Sequence, residues 1–326
     1  MPTYAAIQEA AQRIRDGVIE TPCTRTRAFR DLAPGNHYLK LENLQRTGSF
    51  KDRGALNCML RLTEAERARG VVTASAGNHA QAVAYHGGRL GISVTVVMPE
   101  TAPLIKVTNT RGYGADVIQV GTILDDAAAE VQRLAAEEEL SIIHAFDDED
   151  VIAGQGTMGL EILEQVPDVS VVVVPVGGGG MISGIACAIK EIKPDVRIIG
   201  VEADAAASAK ASRDAGEVVK IAASDTLADG IATKRIGEFT YPLIERYVDE
   251  LVSVGEEEIA AAILLLIERE KTVAEGAGAV GLAALMTGSV TLSETDRAVL
   301  LLSGGNIDLD RYREILAAGG SSGVRA

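Results

Sequence analysis

Tryptophan is absent from this 326-residue chain, and aromatic residues make up only 3% of it. A core without large rings must be built from Ala, Val, Ile and Leu, and a hydrophobic share of 47% is ample for that. Cysteine is scarce as well: Cys23, Cys58 and Cys187 are odd in number, far apart and form no CxxC pair. They read as reduced, buried thiols and not as disulfides or a zinc site. Basic charge is short, with 31 Lys and Arg against 46 Asp and Glu for a net charge of −15. Such a balance argues against nucleic acid or an anionic membrane as partner and leaves a small molecule. No apolar run reaches the roughly 18 uninterrupted residues of a membrane span. No secretory signal is visible either, since the opening segment spaces Tyr4, Ile7, Ala11, Ile14 and Val18 as a helix with charges between. The expected compartment is the cytoplasm.

What the chain does have is glycine, 34 residues of it, much of it clustered where apolar runs end. That is loop chemistry, not low complexity. Its length exceeds one simple core, so two domains or one large α/β unit is expected. From residue 71 short β-branched runs (71–73, 93–99, 115–120, 141–145) alternate with helical patterns (77–90, 103–113, 123–138). Strands alternating with helices mean right-handed crossovers and a parallel sheet. A second series holds "SVVVVPV" (170–176), a helix near 179–192, a strand at 196–202, two helices within 256–288 and a strand at 298–303. The first of these runs shows no alternation, as suits a strand buried on both faces. We read a small α/β domain at 70–148 inserted into a larger one made of 1–69 and 149–326.

One residue breaks the pattern. In "TGSFKDRGAL" (47–56) Ser49 is placed to cap a helix, and Phe50, Gly54, Ala55, Cys58 and Leu62 form one stripe of it at about 100° per residue. Lys51 falls in the middle of that stripe, while Arg53 and Asn57 point to the opposite, solvated face. An ammonium aimed at a core needs a reason.

The glycine clusters supply candidates. "VPVGGGGMISGIA" (174–186) puts Gly177, Gly178, Gly179 and Gly180 between a buried strand and a helix, where backbone N–H groups can converge on a phosphate. A tight turn needs fewer glycines, because each costs unfolded-state entropy. The loop is not a Walker motif, and a Rossmann fingerprint fits poorly. "TASAGNHAQAVAY" (73–85) is a second strand–loop–helix junction, suited to a carboxylate, although Asn78 and His79 read equally as ordinary caps. "IAGQGT" (152–157) offers Gln155, and "LLLSGGNID" (300–308) sets Ser303 at a strand end. Together a phosphate cradle, a carboxylate site and a lysine held neutral by burial describe a phosphorylated aldehyde bound to lysine, and pyridoxal phosphate meets all three requirements.

At this point the sequence resembles the fold-type II pyridoxal-phosphate enzymes, the tryptophan-synthase-β-like group, and within it the threonine dehydratase and serine racemase family. "KLENLQRTGSFKDRGA", "ASAGNHAQAVA", "PVGGGGMISGIA" and "LLSGGN" occur in family order over nearly the whole chain. The resemblance implies a two-domain α/β open parallel-sheet fold and a homodimer or homotetramer. It makes Lys51 the Schiff-base lysine and places Phe50 beside the cofactor ring. Asn78 would serve the phenolic oxygen, Gly177 to Gly180 with Met181 the phosphate, and Ser303 the pyridine nitrogen. Glu275 would lie near the cofactor. Ser75, Gly77, Asn78, His79 and Gln155 would receive the substrate carboxylate.

The implied reaction is α,β-elimination on a β-hydroxy L-amino acid, giving a 2-oxo acid and ammonia. A hydroxyl such as that of Ser303 cannot keep the pyridine nitrogen protonated as a carboxylate would, which weakens the electron sink and suits elimination. Racemases of the family resemble "SSGNH" and use the second serine as a proton donor; here the segment is "SAGNH", with Ala76. That favours a threonine or serine dehydratase over a racemase. A 3-hydroxyaspartate dehydratase would need a further cation, with Arg53 or Lys234 as candidates. Family members that bind Mg²⁺ or Ca²⁺ use a glutamate, a carbonyl four residues on and an aspartate six on. Here Glu202 and Ala206 match but Ser208 replaces the aspartate, a poorer ligand for a hard cation. No C-terminal regulatory domain is expected, and the Gly/Ser tail is expected to be disordered.

Overall fold

Buried valines and isoleucines set the layout of the chain, which a computed structural model describes over residues 2–322. The helices are α1 (Tyr4–Ile14), α2 (Lys51–Arg61), α3 (Glu64–Arg69), α4 (Asn78–Leu90), α5 (Leu104–Gly112), α6 (Leu124–Glu137), α7 (Glu149–Gln165) and α8 (Gly180–Lys190). They continue with α9 (Ser208–Ala215), α10 (Thr240–Tyr247), α11 (Glu256–Glu270), α12 (Gly276–Met286) and α13 (Leu309–Ser322). The strands are β1 (Cys23–Thr26), β2 (Asn36–Leu41), β3 (Val71–Ala74), β4 (Val94–Met98), β5 (Asp116–Gln119), β6 (Ser141–Ile142), β7 (Val171–Pro175), β8 (Arg197–Ala203), β9 (Glu250–Val254) and β10 (Arg297–Leu302).

Two sheets result. The larger has the order β1-β2-β10-β7-β8-β9 and the smaller β5-β4-β3-β6. Every pairing is parallel except β1 with β2. The central strands β3, β7 and β10 are covered on both faces, which explains why they carry no polar alternation. In β7, Val171 and Val173 face a core shared with α11 and α12, whereas Val172 and Val174 face one shared with α7 and α8. In the smaller sheet Val71, Val94 and Val96 pack with α4, and Val72 and Val97 pack with α6. Ala55, Cys58 and Met59 of α2 also belong to the first of these two cores, so α2 is shared between the sheets' surroundings. This is the α/β, open parallel-sheet architecture expected from the sequence.

Several local expectations are corrected. β1, β2 and β9 are strands that the sequence did not announce. β6 is two residues long instead of five, because His144 Nδ1 accepts the Phe146 and Asp147 amides at 3.2 and 2.7 Å and turns the chain there. Ser49 is not a helix cap: α2 starts from Phe50, and the buried Ser49 Oγ has no hydrogen-bond partner. Arg53 and Asn57 are fully buried, not solvated. Cys58 and Cys187 are buried as expected, but Cys23 is half-buried. α13 runs through Ser322, so that part of the Gly/Ser tail is helical, and residues 323–326 lie outside the described residues. Among the described residues no helix is long and apolar enough to cross a membrane.

Candidate active site

In each sheet the loops at the carboxyl ends of the strands carry the polar residues, as in other open α/β sheets. β3 leads into Ser75 and Asn78, β7 into the four glycines, and β10 into Ser303. These loops meet at one cavity of about 310 Å³. Phe50, Lys51, Ser75, Asn78, His79, Gln155, Gly177 to Gly180, Met181, Glu275 and Ser303 all line it. Of the residues assigned to the cofactor or to the substrate's α-carboxylate, Gly77 alone is not in the wall; it is the N-cap of α4 just before Asn78.

Four helices, α2, α4, α8 and α12, begin at or directly after lining residues, respectively Lys51, Asn78, Gly180 and Glu275. Each brings the positive end of a helix dipole to the same space, an environment for anions, although in α2 the amides of Asp52, Arg53 and Gly54 are spent on Ser49 O, Phe50 O and Gln155 Oε1. The glycine loop has no room for side chains. A Cβ on Gly178 would stand 2.3 Å from the Phe146 ring, and one on Gly177 would stand 2.9 Å from Ile231 Cα. Gly179 has φ +92°, a left-handed conformation that L side chains rarely adopt. Thr240 Oγ1 donates to Gly178 O at 2.8 Å and fixes the loop from behind.

Lys51 is half-buried, and its Nζ donates to Ala145 O at 2.6 Å. Burial lowers its pKa to about 8, against the opposing pull of Glu275. Glu275 is itself pushed up to about 7 by burial and by the like charge of Asp229. It accepts from Asn78 Nδ2 at 2.7 Å. Burial, reinforced by Lys51, lowers His79 to about 3, so its ring is neutral. His79 Nε2 lies 2.9 Å from Ile143 O and must donate there, which leaves Nδ1 a bare acceptor without a partner. The imidazole of His79 therefore cannot donate to a carboxylate, and only its backbone N–H can. Gln155 Oε1 accepts from Gly54 N at 3.2 Å, which ties α7 to α2.

The cations proposed for a dicarboxylate are elsewhere. Arg53 is locked between Glu42 and Glu161 (2.8 and 2.6 Å), and Lys234 is exposed outside the wall. Lys106 does line the cavity, paired with Asp229 at 2.9 Å. The sequence reading missed Lys106, Phe146, Asp229 and Ile231, none of which sits in a motif. Ala76 lies in the wall, where a racemase would need a proton donor.

The Glu202 set does not fit a divalent cation. Both carboxylate oxygens of Glu202 accept backbone amides, from Ala209 and Lys210 at 2.8 Å each, and cap α9. Ser208 offers a hydroxyl, and among the described residues no three His, Cys, Asp or Glu side chains are grouped as metal ligands would be. Ala206 and Ser208 are buried beside this cap, away from the cavity.

Fold and cavity together define a class: an α/β enzyme with a glycine cradle facing a lysine amine of lowered pKa. The chain belongs to the pyridoxal-phosphate dependent enzyme family, which matches residues 14–304. It is 48% identical over 319 residues to an L-threonine ammonia-lyase of Thermotoga maritima, covering 98% of this chain and 79% of that one. It is 45% identical over 310 residues to the catabolic L-threonine dehydratase TdcB of Escherichia coli K12, covering 95% and 94%. The serine racemase of Dictyostelium discoideum superposes with a TM-score of 0.89 at 37% identity, covering 94% and 99%. The residues present suit the cofactor: the cradle has space only for backbone, four helix N-termini open on the cavity, and burial lowers the Lys51 amine to about 8.

Proposed function

We propose that the chain is a threonine dehydratase: it eliminates water from L-threonine, and from L-serine, and releases the 2-oxo acid and ammonia. Names of the relatives support the reaction, but one observation of this chain carries the choice. Ala76 stands where the family's racemases carry a serine, and a methyl group cannot deliver a proton to Cα. Gly177 to Gly180 and Met181 would hold the phosphate of pyridoxal phosphate, Phe50 would flank its ring, Asn78 would serve its phenolic oxygen, and Ser303 would face its pyridine nitrogen. When bound, the cofactor supplies an electron sink for the Cα–H bond. Ser75, the backbone N–H groups of Asn78 and His79, and Gln155 orient the substrate carboxylate. Lys51 would anchor the cofactor and, once freed from it, take the Cα proton; the β-hydroxyl would take up one proton in exchange and leave as water. The released enamine tautomerises and hydrolyses, which regains that water and frees ammonia. In the same reading the protein works in the cytoplasm as a homodimer or homotetramer.

One assay panel tests this. L-threonine, L-serine, D-serine and both 3-hydroxyaspartate diastereomers are scored for 2-oxo acid and for the enantiomer recovered, with and without Mg²⁺. L-threonine should be turned over, Lys51→Ala should be silent, and Ala76→Ser should gain D-serine formation. Turnover by Lys51→Ala, or D-serine made by the unaltered enzyme, would sink the assignment. The racemase is the second reading: the Dictyostelium enzyme shares the fold, and Ala76 argues against its reaction.

A further inference from the structure

The loop that presents Lys51 is stitched to the end of β10. Phe50 N donates to Ser303 O at 3.0 Å, Gly305 N to Gly48 O at 2.9 Å, and Ser49 bridges Gly304. Asn306 closes this seam. Its Nδ2 donates both to Thr47 O, at 2.7 Å, and to Asn78 Oδ1, at 2.8 Å. A backbone carbonyl can only accept, so the Asn306 atom facing Thr47 must be nitrogen, and both its hydrogens are spent. Asn78 must then present its oxygen to Asn306. Its nitrogen consequently faces Glu275 Oε1, at 2.7 Å. The orientation of one amide in the cavity wall thus follows from a main-chain carbonyl two residues removed, with no freedom left to reverse it.

Two glycines make room for this chain of bonds. Gly48 has φ +79°, and a Cβ there would stand 2.6 Å from Asn306 Oδ1. A Cβ on Gly304 would stand 2.5 Å from Glu275 Oε1 and 3.2 Å from Asn78 Nδ2. Of the two Nδ2 hydrogens of Asn78 the protein uses one, on Glu275, so the other is the donor this residue can offer a ligand.

We propose that Asn306 is a positioning residue: through Thr47 O it locks the Asn78 amide so that an N–H, and not a carbonyl, serves the phenolic oxygen of pyridoxal phosphate. The proposal rests on the role given to Asn78 above, and the experiment separates the two. Holoenzyme is prepared for the unaltered chain, Asn306→Leu, Asn306→Ala, Asn78→Ala and the double variant Asn78→Ala/Asn306→Leu. These substitutions are neutral, so none adds a charge near Glu275. The readouts are the pH titration of the visible cofactor band, the dissociation constant of pyridoxal phosphate and the melting temperature.

Losing one net hydrogen bond should weaken cofactor binding about fivefold to tenfold. Asn306→Leu and Asn306→Ala should move the titration midpoint in the same direction as Asn78→Ala, and no further. Asn306→Leu should add nothing in the Asn78→Ala background. A residue that served only to hold the loop would lower the melting temperature and leave the titration in place, and that result overturns the proposal. So does an Asn306 shift that persists in full once Asn78 is gone. Where Asn306→Leu does not fold, Asn306→Ala carries the same comparison, and an unmoved midpoint there refutes the role. If Asn78→Ala itself leaves the band unchanged, the Asn78 reading fails, and the Asn306 role falls with it.

Discussion

An amine has to lose its proton before it can attack a carbonyl, and Lys51 is placed to lose it early. Burial disfavours its charged form, while Glu275 pulls the other way and keeps the pKa at about 8 instead of 10.5. The neutral fraction therefore grows as pH rises through 8 and saturates above it. Mixing the cofactor-free chain with pyridoxal phosphate in a stopped-flow instrument should show a capture rate that climbs from pH 7 and levels off near pH 9. Glu275→Gln removes the opposing charge and should move the midpoint of that climb to lower pH. A rate that keeps rising toward pH 10.5 would mark Lys51 as an ordinary lysine. Lys51 was singled out in the sequence as one charge in an apolar stripe, a contrast the structure removes, since Asp52, Arg53 and Asn57 of the same helix are fully buried. What remained readable was its company of glycine loops. Asn306 was visible only as the last letter of a motif, since its role depends on Thr47 and Asn78, far away along the chain.

Among the elements, α2 is held by charge as much as by apolar packing. Arg53, one turn from the cavity, donates to Glu42 at 2.9 and 2.8 Å and to Glu161 at 2.6 and 2.8 Å, with Lys40 Nζ also on Glu161. Arg53, Glu42 and Lys40 are fully buried. Truncating Arg53 leaves the fully buried Glu42 carboxylate without its paired cation, while Glu161 keeps Lys40, a loss of about 3–5 kcal/mol. Chemical denaturation of Arg53→Ala should show that loss, whereas Arg61→Ala, at an exposed ion pair with Asp150, should change stability by no more than about 1 kcal/mol. Periodicity could not reveal this. It sorts residues by polarity, so it assigned Arg53 and Asn57 to water. The structure instead satisfies both internally, Asn57 by Arg13 and the Asp150 carbonyl. The same limit hid β2, whose "NHYLKL" mixes polar residues with apolar ones although His37 and Lys40 are wholly buried. Strands with unmixed valine and isoleucine, and loops crowded with glycine, were readable because their composition has one physical explanation.

Across the whole molecule the two sheets approach each other through the loops that wall the cavity, and two exposed ion pairs join the sides. Lys106 meets Asp229 at 2.9 Å, and Lys220 meets Asp125 at 2.8 Å. Exposed pairs add at most about 1 kcal/mol each to stability. Lys106→Ala should accordingly leave the denaturation midpoint nearly unchanged. It should still raise KM for L-threonine severalfold, because Lys106 and Asp229 are part of the cavity wall. A large stability loss with KM unaltered would reverse that assignment. Sequence order alone foretold two α/β series. It could not foretell that β10 would be inserted between β2 and β7, because strand order is settled by contacts hundreds of residues apart.

That insertion sets a timetable for biosynthesis. A growing chain emerges with Lys51 first, the glycine loop later and residues 297–302 later still. Until they arrive, β2 and β7 have no shared neighbour, and the segment before Lys51 has no seam to close against. Non-local pairing of this kind has to wait for its last partner. Lys51 therefore has no seam to hold its loop until β10 and the residues after it have been made.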